Sequence, residues 1–388
     1  MRGVGRRNFL RATVVGAGAT AFAGGLWQSA FAGPAQPGAG PYGPLGSVDA
    51  NGLRLPQGFS SRVVARSMKK VADTGYVWHA APDGGACFPD GDGWIYVSNS
   101  EVPLVGGASA VRFAADGTIT GAYRTLNMTQ INCAGGATPW GTWLSCEEYD
   151  YGCVYETDPY GKNAAKKRPA LGRFKHEAAA CDPVRKAVYL TEDRSDGCFY
   201  RFLPQVWGDL SAGELQVLVG SGPGKVGWEK VPQPERWITP TRDQVAGAMR
   251  FTGGEGCYYS EDVCYFTTKG DNRVWSYDAV NEVLGIAYDD DLVANGAATL
   301  KGVDNITGTS GGDLYIAEDG DDMQINLITP DGVVAPFVQV DGHPDSEITG
   351  PAFSPDGSRL YFSSQRGASG VILGTGGVTY EVSGPFRA

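Results

Sequence analysis

The sequence predicts an all-β protein, a six-bladed β-propeller with an insertion between the third and fourth repeats. No segment keeps a helical period, and Asp-Gly turns such as Asp92-Gly93 and Asp356-Gly357 separate short alternating runs. Six of these runs share an aromatic residue, an apolar neighbour and a polar or acidic end, and strand-like repeats of about 40–50 residues are typical of propeller blades. The six aromatic residues are Tyr96, Trp143, Tyr189, Tyr265, Tyr315 and Tyr361, at steps of 47, 46, 76, 50 and 46 residues.

The first 32 residues predict an export signal rather than a part of the fold. Residues 6–11 (RRNFLR) form a twin-arginine motif, an apolar stretch follows over residues 12–26, and Ala30-Phe31-Ala32 suits a cleavage site. The apolar stretch is interrupted by glycine and too weak for a stable membrane anchor. We therefore expect the twin-arginine export machinery as a partner and a periplasmic, cell-wall-associated or secreted protein.

The rest of the chain predicts a flexible lead-in over residues 33–50 and a single propeller domain over residues 51–388, which we expect to be monomeric. Residues 1–32 hold four arginines and no acid, so their removal takes the formal charge from −11 to −15. This charge argues against nucleic acid or an anionic membrane as a partner. An anionic substrate would need local positive charge from metal ions or from placed Arg and Lys side chains.

The single long step, 76 residues from Tyr189 to Tyr265, marks the insertion. Residues 203–250 carry Trp207, Trp228 and Trp237 among prolines and glycines. We predict a lid or rim element over the channel mouth, with a plain surface loop as the alternative.

Cysteine and histidine usage limits the chemistry. Eight cysteines in an exported protein can form disulfides, and Cys257 with Cys264, which flank a short turn, are the best candidate pair. Cys146 with Cys153 and Cys181 with Cys198 are candidates by the same logic, although sequence does not establish connectivity. With only three histidines and no Gly-x-Ser-x-Gly elbow, we expect neither a His-rich zinc site nor a serine hydrolase.

A second repeated feature precedes each aromatic residue by 9 to 14 positions and places polar residues beside glycines. In a propeller this offset lies near the start of the innermost strands, where glycines let backbones approach closely. In the first blade the feature reads Gly85-Ala86-Cys87. In the other blades it predicts an axis lined by Cys133, Glu177, Glu255, Asp304, Asn305 and Glu347. A second ring would follow the aromatic residues and contain Glu147, Glu148, Glu192, Asp193, Glu318 and Asp319.

So many carboxylates around one axis predict bound cations, because like charges a few ångströms apart raise one another's pKa. Carboxylate and amide oxygens suit Ca²⁺, whereas a thiolate such as that of Cys133 suits a transition metal. The alternatives are that single acids are solvated turn residues and that Cys133 is a buried inert thiol or half of a disulfide.

Several long stretches resemble the PhoX-type alkaline phosphatases, in a compact branch of that family. They are residues 132–148 (NCAGGATPWGTWLSCEE), 172–177 (GRFKHE), 191–194 (TEDR), 304–305 (DN) and 347–357 (EITGPAFSPDG). The resemblance implies a six-bladed propeller, exported by the twin-arginine route, that hydrolyses phosphomonoesters with a cluster of iron (Fe³⁺) and calcium (Ca²⁺) ions. It implies metal-assisted phosphoryl transfer without a protein nucleophile.

The resemblance also implies roles for individual residues. Cys133 would bind iron, and Glu148, Glu177 and Glu255 would bind or bridge iron and calcium. Weaker matches extend the proposed ligand set. We expect Asp304, Asn305 and Glu318 to bind calcium, and Glu192 and Glu347 are further candidate ligands. Longer members of the family carry an arginine that contacts substrate phosphate where this chain has Gly253, and a Gln-His-Pro-like stretch where it has residues 365–367 (QRG). Arg194, Lys269 and Arg366 are candidates for the missing phosphate contact, the alternative being that they pair with the ring of acids.

The sequence alone leaves two other functions open. One is a calcium-dependent lactonase or esterase of the kind that other six-bladed propellers support, which would need no iron. The other is a non-catalytic, calcium-stabilised propeller that binds a ligand or partner at its channel mouth.

Overall fold

The computed structural model describes residues 33–235, 238–320, 322–371 and 376–387, which form an all-β fold. The strands, in chain order, are β1 (Gln36–Pro37), β2 (Leu53–Arg54), β3 (Ser60–Arg66), β4 (Pro82–Asp90), β5 (Gly93–Ser100), β6 (Gly106–Phe113), β7 (Ile119–Thr129), β8 (Asn132–Ala137), β9 (Trp143–Glu147), β10 (Val154–Thr157), β11 (Lys166–Lys167), β12 (His176–Asp182), β13 (Ala187–Glu192), β14 (Phe199–Val206), β15 (Asp209–Val219), β16 (Gly224–Lys225), β17 (Gly227–Lys230), β18 (Gly254–Ser260), β19 (Val263–Thr268), β20 (Arg273–Asp278), β21 (Val283–Asp289), β22 (Val303–Gly308), β23 (Leu314–Glu318), β24 (Gln324–Ile328), β25 (Val333–Val340), β26 (Ile348–Phe353), β27 (Arg359–Ser364) and β28 (Val378–Ser383). The helices in this part of the chain are short 3₁₀ turns at Pro169–Leu171, Thr241–Asp243, Lys269–Asp271, Asp290–Leu292, Ala294–Gly296 and Gly367–Ser369.

Six sheets surround one axis, which confirms the predicted six-bladed propeller. The innermost strands β4, β8, β12, β18, β22 and β26 each contact the next, and β26 contacts β4, so the ring is closed. We number the blades I to VI in chain order: β4–β7, β8–β11, β12–β15 with β17, β18–β21 with β16, β22–β25 with β1 and β2, and β26–β28 with β3.

Both ends of the described chain hold the ring closed. Strand β3, which precedes blade I in sequence, supplies the outermost strand of blade VI by pairing with β28. The C-terminal residues cross to blade V, where Arg387 forms an ion pair with the fully buried Asp313. Phe386 packs on Phe59 and Phe337 with ring centroids 5.0 and 5.5 Å apart. Because these contacts join opposite ends of the chain, closure of the ring depends on both.

The predicted lead-in packs on the propeller. Strand β1 pairs in parallel with β25 of blade V, and Ala35 is only 1% exposed. Tyr42 packs edge-on against Phe59 at a centroid distance of 5.0 Å. Residues 33–50 therefore contact the propeller through β1, Ala35 and Tyr42, and the flexibility expected of this segment stays a prediction. The predicted signal, residues 1–32, lies outside the described residues; within them, no helix is long and apolar enough to cross a membrane.

The insertion extends two neighbouring blades. Strand β17 adds a fifth strand to the outer edge of blade III, and β16 pairs with β21 of blade IV. Trp207 packs edge-on against Trp140 of blade II, and Trp228 donates a hydrogen bond to Tyr277 of blade IV. Trp207 and Trp228 are thus used in packing between blades, and Trp237 lies outside the described residues. The lid or rim element over the channel mouth stays a prediction.

The repeated aromatic residues form the core between the blades. All six, from Tyr96 to Tyr361, are at most 2% exposed. Tyr96 of blade I stacks on Tyr361 of blade VI with ring centroids 4.9 Å apart, which shows how one blade packs on the next. Burial of such a ring stabilises the fold by about 1.5–3 kcal/mol. The repeat is visible in the sequence because every blade needs this contact.

All eight cysteines are free thiols in the structure. The sulfur atoms of the best candidate pair, Cys257 and Cys264, lie 3.5 Å apart in the hairpin of β18 and β19, and both residues are buried. The hairpin thus brings this predicted pair together without a bond between the sulfur atoms.

Buried His79 predicts a loss of stability in acid. It contacts the ring of Trp78 and forms a hydrogen bond between its Nδ1 and Ser109 Oγ at 2.8 Å. Burial and, to a smaller extent, the charge of Arg124 hold the pKa of His79 well below its ordinary value. The unfolded chain therefore binds one more proton below pH ~6.5, so stability is lost as the pH falls, at up to about 1.4 kcal/mol per pH unit.

The expected result is that His79→Gln flattens the acid side of the stability curve, measured by urea unfolding at pH 5 and pH 7. The wild-type chain should lose about 2 kcal/mol more than the variant between these two values. The half-buried His343 provides the matched control, and His343→Gln should flatten the curve less. A His79→Gln curve parallel to that of the wild type would show that His79 is charged in the folded protein.

Candidate metal centre

The innermost hairpin of each blade repeats one irregularity at its axial end. Two residues of the first strand oppose one of the second there, as Cys133 and Ala134 of β8 oppose Cys146 between the pairs Asn132–Glu147 and Gly135–Ser145. The same β-bulge occurs in all six blades. A bulge bends the strand and turns an extra residue out of the ladder, here toward the axis. Blades I to V can therefore each present the side chain of the first bulge residue to the axis, whereas in blade VI that residue is Gly350.

The first ring contains the residues presented in this way. In blades I to V they are the first residues of the bulges, and blade VI contributes the residue just before its strand. The first ring is Asp83, Cys133, Glu177, Glu255, Asp304 and Glu347. Asn305 lies beside this ring: its Nδ2 donates to Asp304 Oδ1 at 2.8 Å, and its Oδ1 accepts from Gly350 N at 2.6 Å.

The second ring follows the second strand of each blade. Its members occupy equivalent places because each one's backbone N–H donates to the residue that precedes the first strand, at 2.8–3.1 Å. The second ring is Glu101, Glu148, Asp193, Lys269, Asp319 and Gln365. Four of its members are acids, one is an amide and one is a cation.

The two rings bring metal-ligand atoms close together in four overlapping groups. Within each group the atoms lie within 4.8 Å of one another. The shared members Cys133, Glu177 and Asp304 link the groups into one continuous cluster. The groups are Asp83–Glu101–Cys133, Cys133–Glu148–Glu177, Glu177–Glu255–Asp304 and Asp304–Asp319–Glu347.

Three basic side chains offset part of the charge of the two rings. Lys175 bridges Glu148, at 2.7 Å, and Asp193, while Lys269 and Arg366 contact the side of blades IV to VI. Nine carboxylates against these three cations leave six formal negative charges on the axis. At that density the acids cannot all be ionised without further cations.

The pKa values follow from burial and from this crowding. Burial, with the charges of Glu148 and Glu255, raises the pKa of Glu177 well above its ordinary value. Burial also raises the pKa of Asp83 to about 6 and that of Asp304 to about 7. For Asp193, burial is outweighed by the hydrogen bond and charge of Lys175, so its pKa is lowered. Burial and the neighbouring Asp83 and Glu177 raise the pKa of the Cys133 thiol.

Two carboxylate oxygens test whether a cation fits. Glu177 is fully buried, its Oε1 accepts from Cys133 Sγ at 3.2 Å, and its Oε2 has no hydrogen-bond partner among the described residues. Glu255 Oε1 is buried and has no hydrogen-bond partner among the described residues, and the cation that it meets is the ammonium of Lys269, with Nζ at 3.2 Å. Buried acceptors are rarely left unsatisfied, and carboxylate oxygens are ligands for hard cations. Together with a thiol at Cys133, this donor set fits a mixed metal cluster.

Two predicted ligands lie outside the cluster. Glu192 accepts from Cys198 N at 3.1 Å, Tyr200 Oη at 2.8 Å and Arg242 at 3.2 Å. Glu318 accepts from Lys301 N and Gln324 N, both at 2.9 Å, and from Asn326. Both are the last paired residues of their strands, one position before the second ring, so their side chains point into the blade. The structure therefore does not bring these two predicted ligands into the four groups, and the same geometry places Glu147 in the blade.

The three candidate phosphate contacts differ in their surroundings. Lys269 belongs to the second ring, and Arg366 contacts Glu347 at 3.0 Å and Asp319 at 3.3 Å. Arg194 stands apart: its side chain is 37% exposed and forms an ion pair with Asp150, which is 58% exposed. Its carbonyl accepts from Gly253 N at 2.8 Å, so it is the arginine directly beside Gly253.

Sequence reasoning missed four members of the site. In blade I the predicted position, Gly85 to Cys87, is too late, and Asp83 is the residue at the bulge. Gln365 donates to Asp83 at 2.6 Å and to Glu101 at 2.5 Å, which completes this side of the rings. The signal was present, since Asp83-Gly84-Gly85 aligns with Cys133-Ala134-Gly135. Nothing in the repeat indicated the fourth residue, Lys175.

The chain matches the family model described as alkaline phosphatase PhoX over residues 96–151 and 149–367. Comparison with curated protein sequences gives no match.

Solved structures share the fold at low sequence identity. PhoX of Pseudomonas fluorescens, in complex with vanadate as a transition-state analogue, superposes with a TM-score of 0.70 at 17% identity, over 88% of this chain and 97% of that chain. XC5397 from Xanthomonas campestris, a gluconolactonase, superposes with a TM-score of 0.50 at 13% identity, over 91% of this chain and 98% of that chain. At these identities the likeness establishes the fold alone.

Proposed function

Because this chain belongs to the alkaline phosphatase PhoX family, and is therefore a phosphatase-type hydrolase, we propose that it hydrolyses phosphomonoesters at a cluster of iron and calcium ions on the propeller axis. The observation that carries the proposal is the continuous run of donor groups through Cys133, Glu177 and Asp304. Phosphodiesters are a secondary substrate class. The donor set and the family together support this function over a lactonase, whose known example here shares only the fold.

The residues divide between the two metals by their donor chemistry. Cys133 would hold iron, since a thiolate prefers a transition metal. Glu148, Glu177 and Glu255 would bind or bridge iron and calcium, and oxygen donors of Asp304, Asn305 and Glu347 would hold calcium. When bound, such ions supply Lewis-acid stabilisation of the charge on a phosphate ester.

The side chains around the cluster would position the substrate. Glu177 and Glu255 of the first ring are shielded from bulk water, since they are 0% and 2% exposed. We assign the phosphate contact first to Arg194, because its side chain is 37% exposed, lies beside Gly253 and pairs with the exposed Asp150 rather than with a ring carboxylate. Arg366 and Lys269 are engaged by ring carboxylates and would act on phosphate only by giving up those contacts.

Metal content and turnover of natively exported protein test the function. We expect iron and calcium, visible absorption, and hydrolysis of a chromogenic phosphate ester at alkaline pH. Calcium alone without that hydrolysis would overturn the proposal. Lactone hydrolysis that free phosphate does not affect would then favour the lactonase, and metal-dependent stability without turnover would favour a binding propeller.

Cys133→Ser should remove iron and the visible absorption while the propeller stays folded, because the hydroxyl is a poor substitute for a thiolate ligand. Iron analysis and circular dichroism measure the two effects. Cys146→Ser is the matched control: Cys146 is a fully buried thiol away from the rings, so the variant should retain its iron. Unchanged iron in Cys133→Ser would make Cys133 a structural thiol.

We also propose export by the twin-arginine route, supported by residues 6–11 and the Ala-x-Ala site at residues 30–32. A chain with Lys at positions 6 and 7 should stay inside the cell, as cell fractionation would report. Export of that chain at the wild-type level would contradict this route.

A further inference from the structure

Lys269 is the one cation among the six residues of the second ring. The same backbone hydrogen bond that fixes four acids and Gln365 in this ring also fixes Lys269, through Gly253 O at 2.8 Å. Its position therefore follows from the repeat of the fold, whereas its charge is opposite to that of its neighbours.

The ammonium group of Lys269 lies among three carboxylates from two blades. Its Nζ is 3.2 Å from Glu255 Oε1, 3.7 Å from Asp304 Oδ2 and 3.1 Å from Asp319 Oδ2. An ammonium has three donors and no acceptor, and here three carboxylates surround it. Glu255 and Asp304 are both in the first ring, so Lys269 joins the two rings on the side of blades IV and V.

This arrangement is that of a bound cation. Carboxylates from separate chain segments converge on one positive centre, and Glu255 Oε1 meets it without hydrogen-bond geometry, so the contact is one of charge. A lysine ammonium is a compact point charge on a flexible stem, which suits it to such a place. The rest of the cluster carries Glu177 Oε2, which has no hydrogen-bond partner among the described residues.

We propose that Lys269 is a built-in cation that takes the place of one divalent ion, so that this chain binds one ion fewer than its two rings would otherwise hold. The ions would then bind at Cys133, Glu148 and Glu177 and, beside blades IV and V, only through the oxygens of Glu255 and Asp304 that do not face Lys269. Lys269 would permanently neutralise the carboxylate oxygens that face it, Glu255 Oε1 and Asp304 Oδ2. The inference rests on the proposed function only in that the remaining donors bind metal.

The test is the calcium stoichiometry of Lys269→Met, which keeps the length of the side chain and removes the charge. The chelator-treated, fully folded chain is titrated with Ca²⁺, and ions per chain are counted by equilibrium dialysis and elemental analysis. We expect Lys269→Met to bind one Ca²⁺ more than the wild-type chain. Lys269→Arg keeps the charge and should bind the same number as the wild type.

A second neutral variant shows whether the result with Lys269→Met comes from the lost charge or from misfolding. Lys269→Gln introduces the amide that blade VI already has at Gln365, and it should gain the same ion. Equal stoichiometry in the wild type and both neutral variants would overturn the inference, as would a loss of ions in them. A wild-type chain that binds no metal, beside a neutral variant that binds one Ca²⁺, would support the inference and contradict the metal centre of the proposed function.

Discussion

Glu177→Gln should lower the rate of phosphomonoester hydrolysis by at least about a thousandfold, equivalent to about 4 kcal/mol of transition-state stabilisation. Glu177 is the member shared by the two groups at the centre of the cluster, with Cys133 and Glu148 on one side and Glu255 and Asp304 on the other. Its Oε2 is buried with no hydrogen-bond partner among the described residues. A neutral amide in this place binds a cation far more weakly, so the metal should be lost and the activity with it.

The same substitution should not weaken the metal-free fold. Burial and neighbouring acids raise the pKa of Glu177, so the metal-free protein resists its ionisation. A raised pKa of an acid in the folded state means that its contribution to stability is present at low pH and lost as the pH rises. Gln removes that loss, and its carbonyl can still accept from Cys133 Sγ.

Thermal unfolding with a chelator at pH 8 separates the two effects. The variant should unfold at the same temperature as the chelated wild-type chain or above it, and added metal should stabilise only the wild type. The matched control is Glu192→Gln, an equally buried acid one residue before the second ring, which should retain its metal. If the chelated Glu177→Gln chain unfolded several degrees earlier, Glu177 would be a structural residue.

The blade repeat made most of the axis predictable because two physical demands recur in each of the six blades. Each blade must bury an aromatic residue such as Tyr189 or Tyr315 against its neighbour, and each must bring its first strand to the axis beside a small residue. Those two demands produce a regular pattern of residues in the sequence. The fold brings together the residues that fit this pattern, including Cys133, Glu177 and Glu255.

The part that escaped prediction depends on side-chain direction at single-residue resolution. Glu147 and Glu148 are adjacent acids, and the sequence does not show which of them faces the axis. The bulge in the partner strand decides this: Glu147 pairs with Asn132 and points into the blade, so that Glu148 points to the axis. The same one-residue distinction separates Glu318 from Asp319 and explains why Glu318 is not in the cluster.

Lys269 was predicted as a phosphate contact or as a partner of the acids, but its place as a member of the second ring was not predicted, for a different reason. Its role is set by the three carboxylates around it, and two of them come from blade V, far along the chain. A search for repeated acids treats a lysine in their place as an exception. The contacts between blades that determine the surroundings of Lys269 produce no local pattern in the sequence.

Gly136→Val should prevent the propeller from folding, with a cost of about 4 kcal/mol or more. A Cβ at Gly136 would lie 2.0 Å from the carbonyl oxygen of Ala179 and 2.7 Å from its carbonyl carbon, both in the backbone of blade III. Backbone in a paired strand cannot move aside as the end of a flexible side chain can, so blades II and III would have to separate. Soluble yield and the midpoint of urea unfolding measure the effect.

Gly75→Val is the matched control, because a Cβ there meets no atom within 4 Å and the residue has no left-handed backbone conformation. Its unfolding midpoint should stay close to that of the wild type. Contacts such as that between Gly136 and Ala179 set how closely the innermost strands approach the axis, and Gly256 makes the same kind of contact with Asn305 of blade V. They therefore also set the spacing of the ring residues on those strands. A folded Gly136→Val chain with wild-type stability would mean that the blades can separate, and the distances within 4.8 Å that define the metal centre would then not be imposed by the fold.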